Sequence, residues 1–409
     1  MDDHQTLLSR LAQPAATRIV LLVLDGVGDL RTAAQPRTAL EQAATPHFDA
    51  LARRSSLGRL VPVATGVTPG SGPGHLALFG YDPASPAADI GRGVLEALGL
   101  GLEVTPQAVA ARGNFATADA AGRLTDRRAG RIPTAECERL CARLNAAVAA
   151  AELPDLGVAV HPGEGYRFVV LLSGNDLHPA LADTDPQQLG VPPLAARALE
   201  GAAAATAARV DRLIAVLQAA IAGEPRANRV LLRGFSRLPH LPSVADLYKV
   251  RAGAFAGYPL YRGVAGACGM RVVPCGRRIG EILPVVAEHW DDFDFIFVHV
   301  KQTDQAAEDG DFAAKVRVIE EVDAALPALL DLGPDVLAVS ADHSTPAPMR
   351  AHSWHPVPLL LHAPATGFVD AGERFHELEA ARGALGTLPA RELMGLLLAH
   401  AGRLAKFGA

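Results

Sequence analysis

Four polar residues stand where buried strands or glycine-rich turns are predicted to end. Asp25 closes the apolar run RIVLLVL, Ser71 lies within TPGSGPGH, and Asp342 and His343 follow an apolar run that ends at Ser340. Because a parallel sheet presents reactive groups at the carboxyl ends of its strands, we expect these four side chains to lie together. A hydroxyl beside carboxylate and imidazole groups is the pattern of a metal-assisted phosphoryl-transfer site.

Taken singly, these residues have ordinary structural explanations. An aspartate after a buried strand often caps a helix or forms a turn, and Gly-Ser-Gly is common in loops. The pair Asp342 and His343 is more informative, because adjacent carboxylate and imidazole groups at a strand end can turn toward one divalent ion. The combination of all four positions therefore favours the catalytic interpretation.

A second group of candidate ligands follows the predicted strand FDFIFVHV. Lys301 comes directly after this strand, Asp304 and Glu308 are one helical turn apart, and His352 precedes another apolar strand. Two carboxylates and an imidazole form a ligand set suited to Mn²⁺, Mg²⁺ or Zn²⁺. The alternative is that Asp304 and Glu308 are an acidic pair stabilised by the dipole at a helix N-terminus.

The composition excludes some classes of partner. The chain has 409 residues, of which 49% are hydrophobic and 20% are charged, and its formal net charge is −6. Because an acidic chain is not attracted over distance to polyanions, we expect neither nucleic acid nor a membrane as a partner. A small anionic phosphorylated substrate would need arginines close to its site. The composition does not predict the oligomeric state.

Cysteine usage and the first residues indicate a compartment. Cys137, Cys141, Cys268 and Cys275 contain no CxxC pair, so we expect free thiols in a reducing environment. The chain starts with acidic rather than basic residues, and the apolar run before Asp25 is too short to span a membrane. These features predict a cytoplasmic enzyme without a membrane anchor.

Alternating elements are predicted to position these residues. We expect strands at 18–25, 58–63, 167–172, 293–299, 336–340 and 357–361, and helices at 45–57, 137–151, 194–221, 261–268 and 312–330. Such alternation is typical of a doubly wound α/β core. The composition changes to glycine-arginine clusters and alanine-rich helices in the middle of the chain. We therefore predict a core of residues 1–80 and 246–409, interrupted by a smaller inserted α+β domain at 81–245.

Motifs along nearly the whole chain resemble those of one family. The chain resembles the cofactor-independent phosphoglycerate mutases of the archaeal type in the motifs DGVGD, TPHFDALAR, GSGPGHLALFGYDP, RGNFAT, DRRAGRI, VHVKQTD, SADHSTP and HSWHPVP, which occur in the family's order. It is identified as a divergent member of that family, within the alkaline phosphatase superfamily. The resemblance implies an alkaline-phosphatase-like core with an inserted lid domain. It also implies interconversion of 3-phosphoglycerate and 2-phosphoglycerate through a phosphoserine.

The resemblance assigns roles to the candidate residues. Ser71 matches the nucleophile, which becomes phosphorylated and also contacts a metal ion, and Lys301 is placed to reach the transferred phosphoryl group. Two divalent ions are implied, with Mn²⁺ preferred and Mg²⁺ or Zn²⁺ as alternatives. Their ligands form two sets, namely Asp25, Ser71, Asp342 and His343 for the first ion, and Asp304, Glu308 and His352 for the second.

The lid domain is implied to bind the rest of the substrate. Arginine grips phosphate or carboxylate with a planar fork of donors, and the candidates are Arg92, Arg127, Arg128, Arg131 and Arg167. Asp183 and Asp185 in ADTDP match a family signature. Asp185 is the candidate acid and base for the substrate hydroxyls, and a simple Asx turn is the alternative.

Three departures from the family pattern lie close to the predicted metal sites. Glu308 stands where a histidine is usual, Gly72 and Pro73 replace an aspartate and a threonine after the nucleophile, and His355 stands where an aspartate is usual. A carboxylate at position 308 makes the second site harder, which suits Mg²⁺ or Mn²⁺. Pro73 stiffens the backbone after Ser71.

These departures leave alternatives to a phosphoglycerate mutase. One alternative is a metal-dependent phosphohydrolase, or a mutase that acts on another phosphorylated or phosphonylated acid. A third is a homologue that binds a phosphometabolite without turnover. Retention of Ser71 and of the first ligand set argues against the non-catalytic alternative, because a binding protein needs no nucleophile beside a metal site.

Overall fold

The computed structural model of the chain describes residues 3–408, which form two compact units. The core unit contains the residues up to Asp89 and those from Leu241 onward, and the insert contains Ile90–His240. The boundaries predicted from the sequence, after residues 80 and 245, differ from these, because residues 81–89 and 241–245 belong to the core unit. The Tyr81 hydroxyl donates to the carbonyl of Pro242 at 2.7 Å, which ties residues beyond 80 to the core unit.

The strands and helices alternate along much of the chain. In chain order the strands are β1 (Ile19–Leu24), β2 (Ser56–Val61), β3 (Val109–Ala118), β4 (Leu124–Asp126), β5 (Gly157–Pro162), β6 (Arg167–Ser173), β7 (Arg229–Ser236), β8 (Ala252–Ala256), β9 (Arg271–Val272), β10 (Phe295–Val300), β11 (Val336–Ser340), β12 (Val357–His362) and β13 (Gly386–Pro389). The helices are α1 (Asp3–Leu11), α2 (Ala39–Gln42), α3 (Pro46–Ala52), α4 (Ser71–Leu78), α5 (Arg92–Gly99), α6 (Thr134–Ala150), α7 (Ala204–Ile221), α8 (Val244–Tyr248), α9 (Pro259–Ala267), α10 (Ile279–Glu288), α11 (Gln302–Glu308), α12 (Phe312–Leu330), α13 (Glu377–Arg382) and α14 (Leu393–His400).

The core unit is built on an eight-stranded sheet in the order β13-β2-β12-β11-β1-β10-β8-β9. Strand β12 runs antiparallel to both of its neighbours, whereas the other pairs are parallel. Strand β1 lies between β10 and β11, so the sheet extends from it in both directions, as in doubly wound α/β folds. The predicted α/β core is therefore confirmed.

The central strands are continuous apolar runs because they are buried on both faces. Every residue of β1, β10 and β11 is buried. The register pairs Leu24 with Val300, and Val23 with Ser340. The three strands therefore end at the same level, and the residues that follow them meet at one edge of the sheet.

Two predicted helices begin or end elsewhere in the structure. The helix expected at 45–57 ends at Ala52, because the chain from Ser56 onward joins the sheet as β2 and pairs with β12. The helix expected from residue 194 begins at Ala204. The backbone N–H of Leu194 donates instead to the carbonyl of Thr184 at 2.8 Å, in a paired loop. The six predicted strands match the observed boundaries within about two residues.

The insert has its own antiparallel sheet and its own apolar core. Strands β4, β3, β6 and β5 are adjacent in that order, and β7 pairs with β3. Helices α6 and α7 cover this sheet with buried side chains that include Leu140, Leu144, Leu213 and Leu217, which belong to one cluster with Phe168 of β6. The insert is therefore α+β, with a core that does not depend on the sheet of the core unit.

Among residues 3–408, none of the helices is both long enough and apolar enough to cross a bilayer.

Candidate active site

Three strand ends and one helix start position the predicted reactive groups. Asp25 directly follows β1, Lys301 directly follows β10, and Asp342 is the second residue after β11. Ser71 is the first residue of α4. The parallel register of the three strands explains why groups from distant parts of the sequence come together here.

The first predicted ligand set converges on the imidazole of His343. Its Nε2 atom lies 3.1 Å from Asp342 Oδ2, 3.4 Å from Asp25 Oδ1 and 3.3 Å from Ser71 Oγ. Ligand atoms that each lie about 2.1 Å from one tetrahedral ion are about 3.4 Å from one another. The donor types and their spacing therefore fit a divalent cation.

Helix α4 approaches this cluster closely at Gly74. A Cβ atom at Gly74 would come within 2.3 Å of the carbonyl oxygen of Asp342, so only glycine fits here. Ser71 at the start of α4 lies where the free N–H groups and the dipole of a helix favour an anion. Gly72 has open space around its Cβ position, and Pro73 lies in the first turn, where its missing N–H costs nothing.

Strong electrostatic coupling joins the buried groups of this set. Burial opposes ionisation of Asp342, but His343 and His75 outweigh it and hold the pKa of Asp342 well below its usual range. Burial also disfavours charge on His343, yet the Asp342 carboxylate raises the pKa of His343 to about 9. The Asp25 pKa is lowered, because contact with His299 and Lys301 outweighs burial and the neighbouring Asp342 charge.

The second predicted ligand set lies on α11 and on the loop before β12. His352 Nε2 is 3.6 Å from Asp304 Oδ1 and 3.7 Å from Glu308 Oε1. Asp304 is buried, whereas Glu308 is exposed. The ligand atoms of Asp304, His343 and His352 also lie within 4.8 Å of one another, so His343 borders both sets. Its ring stacks on that of His352 with 3.6 Å between centroids.

Lys301 spans the two ligand sets. Its Nζ atom forms an ion pair with Asp304 Oδ2 and lies 3.5 Å from Asp25 Oδ1. Although burial disfavours its charge, these carboxylates raise the pKa of Lys301 above its usual value. The two carboxylates therefore favour the charged form of Lys301.

His355, the third departure from the family pattern, lies outside both ligand sets. Its Nδ1 atom is 3.1 Å from Ser353 Oγ, and its ring stacks on Trp354. Burial lowers the pKa of His355. His355 therefore contacts the loop that carries His352.

Several residues at the site were not found by sequence reasoning. His75 Nδ1 lies 3.2 Å from Asp342 Oδ2, and His299 Nε2 lies 2.9 Å from Asp25 Oδ2. Tyr261 stacks on His299 with 3.7 Å between ring centroids. His75 follows Ser71 by one helical turn, a spacing that could have revealed it once a helix was assigned there.

Tyr261 carries a buried hydroxyl beside Ser71. The side chain is only 2% exposed, and its hydroxyl interacts with the Asp25 carboxylate and the Ser71 hydroxyl. Burial raises the pKa of the Tyr261 phenol, and the carboxylates of Asp25 and Asp342 raise it further. The Tyr261 hydroxyl therefore lies between a predicted metal ligand and the predicted nucleophile.

The predicted arginines of the insert differ in their surroundings. Arg92, Arg128 and Arg131 are exposed, whereas Arg127 and Arg167 are partly buried. Arg127 donates to both carboxylate oxygens of Asp185, at 2.8 and 2.7 Å. Burial opposes the charge of Asp185, but this fork keeps its pKa below the usual range.

One face of the insert sheet carries a larger basic cluster than expected. Arg112 pairs in register with Arg233, and Asn114 pairs with Arg167, which places the four side chains on the same face. Burial lowers the pKa of Arg112, and the neighbouring charge of Arg167 acts in the same direction. Sequence reasoning missed Arg112 and Arg233, because the strands β3 and β7 that align them were not predicted.

Comparisons with known proteins agree with this architecture. The family model described as 2,3-bisphosphoglycerate-independent phosphoglycerate mutase matches residues 52–226. Proteins named probable 2,3-bisphosphoglycerate-independent phosphoglycerate mutase are 47% identical in Thermotoga neapolitana and 49% identical in Thermus thermophilus, each over 100% of both chains.

Solved structures with a similar fold cover nearly the whole chain. A protein from Pyrococcus horikoshii has a TM-score of 0.80 at 27% identity and covers 96% of this chain and 99% of its own. The cofactor-independent phosphoglycerate mutase of Thermoplasma acidophilum has a TM-score of 0.71 at 26% identity, covering 94% and 100%. Fold and site together define a metal-dependent phosphoryl-transfer enzyme of the α/β class. The sequence identity to these relatives identifies the family within this class. The chain belongs to the 2,3-bisphosphoglycerate-independent phosphoglycerate mutase family.

Proposed function

We propose that this enzyme interconverts 3-phosphoglycerate and 2-phosphoglycerate through a phosphoserine at Ser71. The observation that carries the proposal is the 3.3 Å approach of Ser71 Oγ to His343 Nε2, within the cluster that Asp25 and Asp342 complete. A serine hydroxyl is a weak nucleophile unless its surroundings favour the alkoxide. A helix start and a cation-binding cluster provide such surroundings.

The donor sets support two divalent cations. Asp25, Ser71, Asp342 and His343 would hold the first, and Asp304, His352 and Glu308 the second. When bound, such ions neutralise charge on phosphoryl oxygens and lower the pKa of a coordinated hydroxyl. Mn²⁺ is our first choice, with Mg²⁺ or Zn²⁺ as alternatives, because the sets mix carboxylate and imidazole donors.

The remaining groups of the core unit position the phosphoryl group and shield its charge. Lys301 lies between Asp25 and Asp304, which favour its charged form, and is placed to bind a phosphoryl oxygen. The Tyr261 hydroxyl, which lies beside Asp25 and Ser71, is a second candidate donor to the phosphoryl group. These groups need only hold the phosphoryl group in line with the attacking oxygen.

The insert supplies the groups that would bind the rest of the substrate. Arg112, Arg167 and Arg233 share one face of its sheet, and a guanidinium fork matches both carboxylate and phosphate. Arg92, Arg127, Arg128 and Arg131 remain candidates from the sequence. The role of the insert as a lid, and the cytoplasmic location, stay predictions from the sequence.

The test is turnover of 3-phosphoglycerate by metal-stripped protein resupplied with Mn²⁺, Mg²⁺ or Zn²⁺. Both 2-phosphoglycerate and inorganic phosphate are measured, and quenched protein is examined by mass spectrometry for phosphate at Ser71. Ser71→Ala should abolish the product and the modification, whereas Thr65→Ala, which removes an exposed hydroxyl in the loop before α4, should retain both.

Two other results would contradict the proposal, and each would support a different function. Phosphate release that depends on Ser71, without 2-phosphoglycerate, would identify a phosphohydrolase. Absence of any product that depends on Ser71 would point to another substrate or to a binding protein without turnover.

A further inference from the structure

One buried hydroxyl contacts predicted ligands of both metal ions. Thr345, in the loop after β11, is fully buried. Its Oγ1 atom lies 2.6 Å from Asp304 Oδ1 and 2.9 Å from His343 Nδ1. Asp304 belongs to the second ligand set, whereas His343 is the centre of the first.

The hydrogens of these three groups can be assigned from their chemistry. A carboxylate only accepts, so the single hydrogen of the Thr345 hydroxyl is donated to Asp304. The same hydroxyl oxygen must then accept from His343, which places a hydrogen on Nδ1. The Nε2 atom of His343 is thereby directed toward Asp25 Oδ1 and Ser71 Oγ, as the first site requires.

The backbone of Thr345 is held as firmly as its side chain. Its N–H lies 3.2 Å from the carbonyl oxygen of Gly26 and 3.1 Å from that of Gly28, and its own carbonyl accepts from Lys315 Nζ at 2.9 Å. Lys315 is fully buried and also donates to Gly28 at 3.2 Å. A Cβ atom at Gly26 would come within 2.5 Å of Thr345 Oγ1, so glycine leaves the space that the hydroxyl occupies.

The geometry points to Thr345 as a positioning residue that couples the two metal sites. This inference rests on the proposed function, because it takes Asp304 and His343 as ligands. An ion at either site orders its ligand against the shared hydroxyl, and the same hydroxyl then holds the ligand of the other site ready. Because coupling between sites is reciprocal, each ion should strengthen binding of the other.

Calorimetric titration of the metal-stripped full chain with Mn²⁺ tests the inference. Thr345→Val replaces the hydroxyl by a methyl group, and Thr345→Ser retains it. We expect the valine variant to bind both ions about 10- to 100-fold more weakly, as is usual when a group that orients a ligand is lost, and the serine variant to restore both affinities. Thr345→Ala gives the same comparison if the valine variant does not fold.

A double-mutant cycle measures the coupling itself. His352→Ala removes a ligand of the second site and should weaken Mn²⁺ binding at the first site when Thr345 is present. In the Thr345→Val background the same substitution should leave the first site unchanged.

Three results would overturn the inference. These are unchanged affinities in Thr345→Val, a loss confined to one site, and failure of Thr345→Ser to restore binding. Coupled binding of two ions by a chain that does not phosphorylate Ser71 would refute the phosphoserine route while supporting the coupling.

Discussion

Nδ1 of His75 lies 3.2 Å from Oδ2 of Asp342, and both side chains are fully buried. The same nitrogen lies 2.8 Å from the backbone carbonyl oxygen of Ser71. Both neighbours are acceptors, so Nδ1 carries a hydrogen that is shared between a predicted metal ligand and the backbone of the predicted nucleophile. His75 therefore fixes the position of Asp342 relative to the start of α4.

Removal of this hydrogen should weaken metal binding and turnover. His75→Ala is expected to reduce Mn²⁺ affinity or activity about 10- to 100-fold, because the ligand carboxylate loses its orienting donor. His75→Asn, whose amide can donate from nearly the same place, should lose less. Calorimetry and rates at saturating Mn²⁺ distinguish the variants, and equal losses in both would show that only packing matters.

The metal preference should respond to the residue at position 308. Glu308 presents a carboxylate oxygen 3.7 Å from His352 Nε2. In Glu308→His we expect the ratio of activity with Mn²⁺ or Zn²⁺ to activity with Mg²⁺ to rise, because imidazole is a softer donor. Glu308→Gln, which removes the charge without adding nitrogen, serves as the control. A ratio that is the same in all three proteins would mean that Glu308 does not contact the ion.

The two aspartates of ADTDP should affect different kinetic constants. Asp185 holds the guanidinium of Arg127, a predicted substrate-binding residue, so Asp185→Asn should raise KM by releasing that arginine. Asp183 is partly exposed and accepts from the N–H of Gly234 at 2.8 Å, which leaves it accessible as an acid or base. Asp183→Asn should mainly lower kcat. Steady-state kinetics with 3-phosphoglycerate measures kcat and KM for both variants. If kcat fell only in Asp185→Asn, Asp185 rather than Asp183 would be the acid and base.

Stability should depend on pH through the partly buried carboxyl group of Glu377, which is not among the predicted metal ligands. Burial raises the pKa of Glu377 to about 7 from a usual value of 4.5, although the Thr38 hydroxyl and the Asp29 N–H donate to it. The folded state therefore binds this proton more tightly than the unfolded state does. The contribution of Glu377 to stability is full below about pH 4.5 and is lost as the pH rises through about 7.

Urea unfolding of the wild type and of Glu377→Gln between about pH 5 and about pH 8 checks this sign. Glutamine resembles the protonated acid, so the difference in unfolding free energy between the two proteins should shift in favour of the variant as the pH rises. A difference independent of pH would show that Glu377 titrates normally.

Sequence patterns predicted the elements whose signals are strong. The buried runs of β1, β10 and β11 are long and apolar, so the positions of Asp25 and Asp342 at their ends could be predicted. Strand β8, with the sequence AGAFA, was not predicted, because alanine and glycine carry little strand signal. Gly253 is required there, since a Cβ atom would come within 2.6 Å of the Phe293 ring.

The supporting residues of the site were beyond prediction for a different reason. Thr345 and Lys315 act through contacts with distant loops, which a single sequence does not display. His299 occupies an ordinary strand position, and only the packing of β10 against β1 reveals that it faces Asp25. Residue type and local spacing indicate the groups that perform chemistry, whereas the groups that orient them depend on tertiary packing.

The position of β1 between β10 and β11 also determines the order in which the chain can assemble during synthesis. Ile19 pairs with Phe295 and Val336, so an entirely apolar strand leaves the ribosome long before either partner exists. The insert has no such delay, because its strands pair among themselves within Ile90–His240. Since unpaired apolar strands promote aggregation, the nascent chain is most exposed to misfolding before β11 emerges, and chaperones have most to protect in that interval.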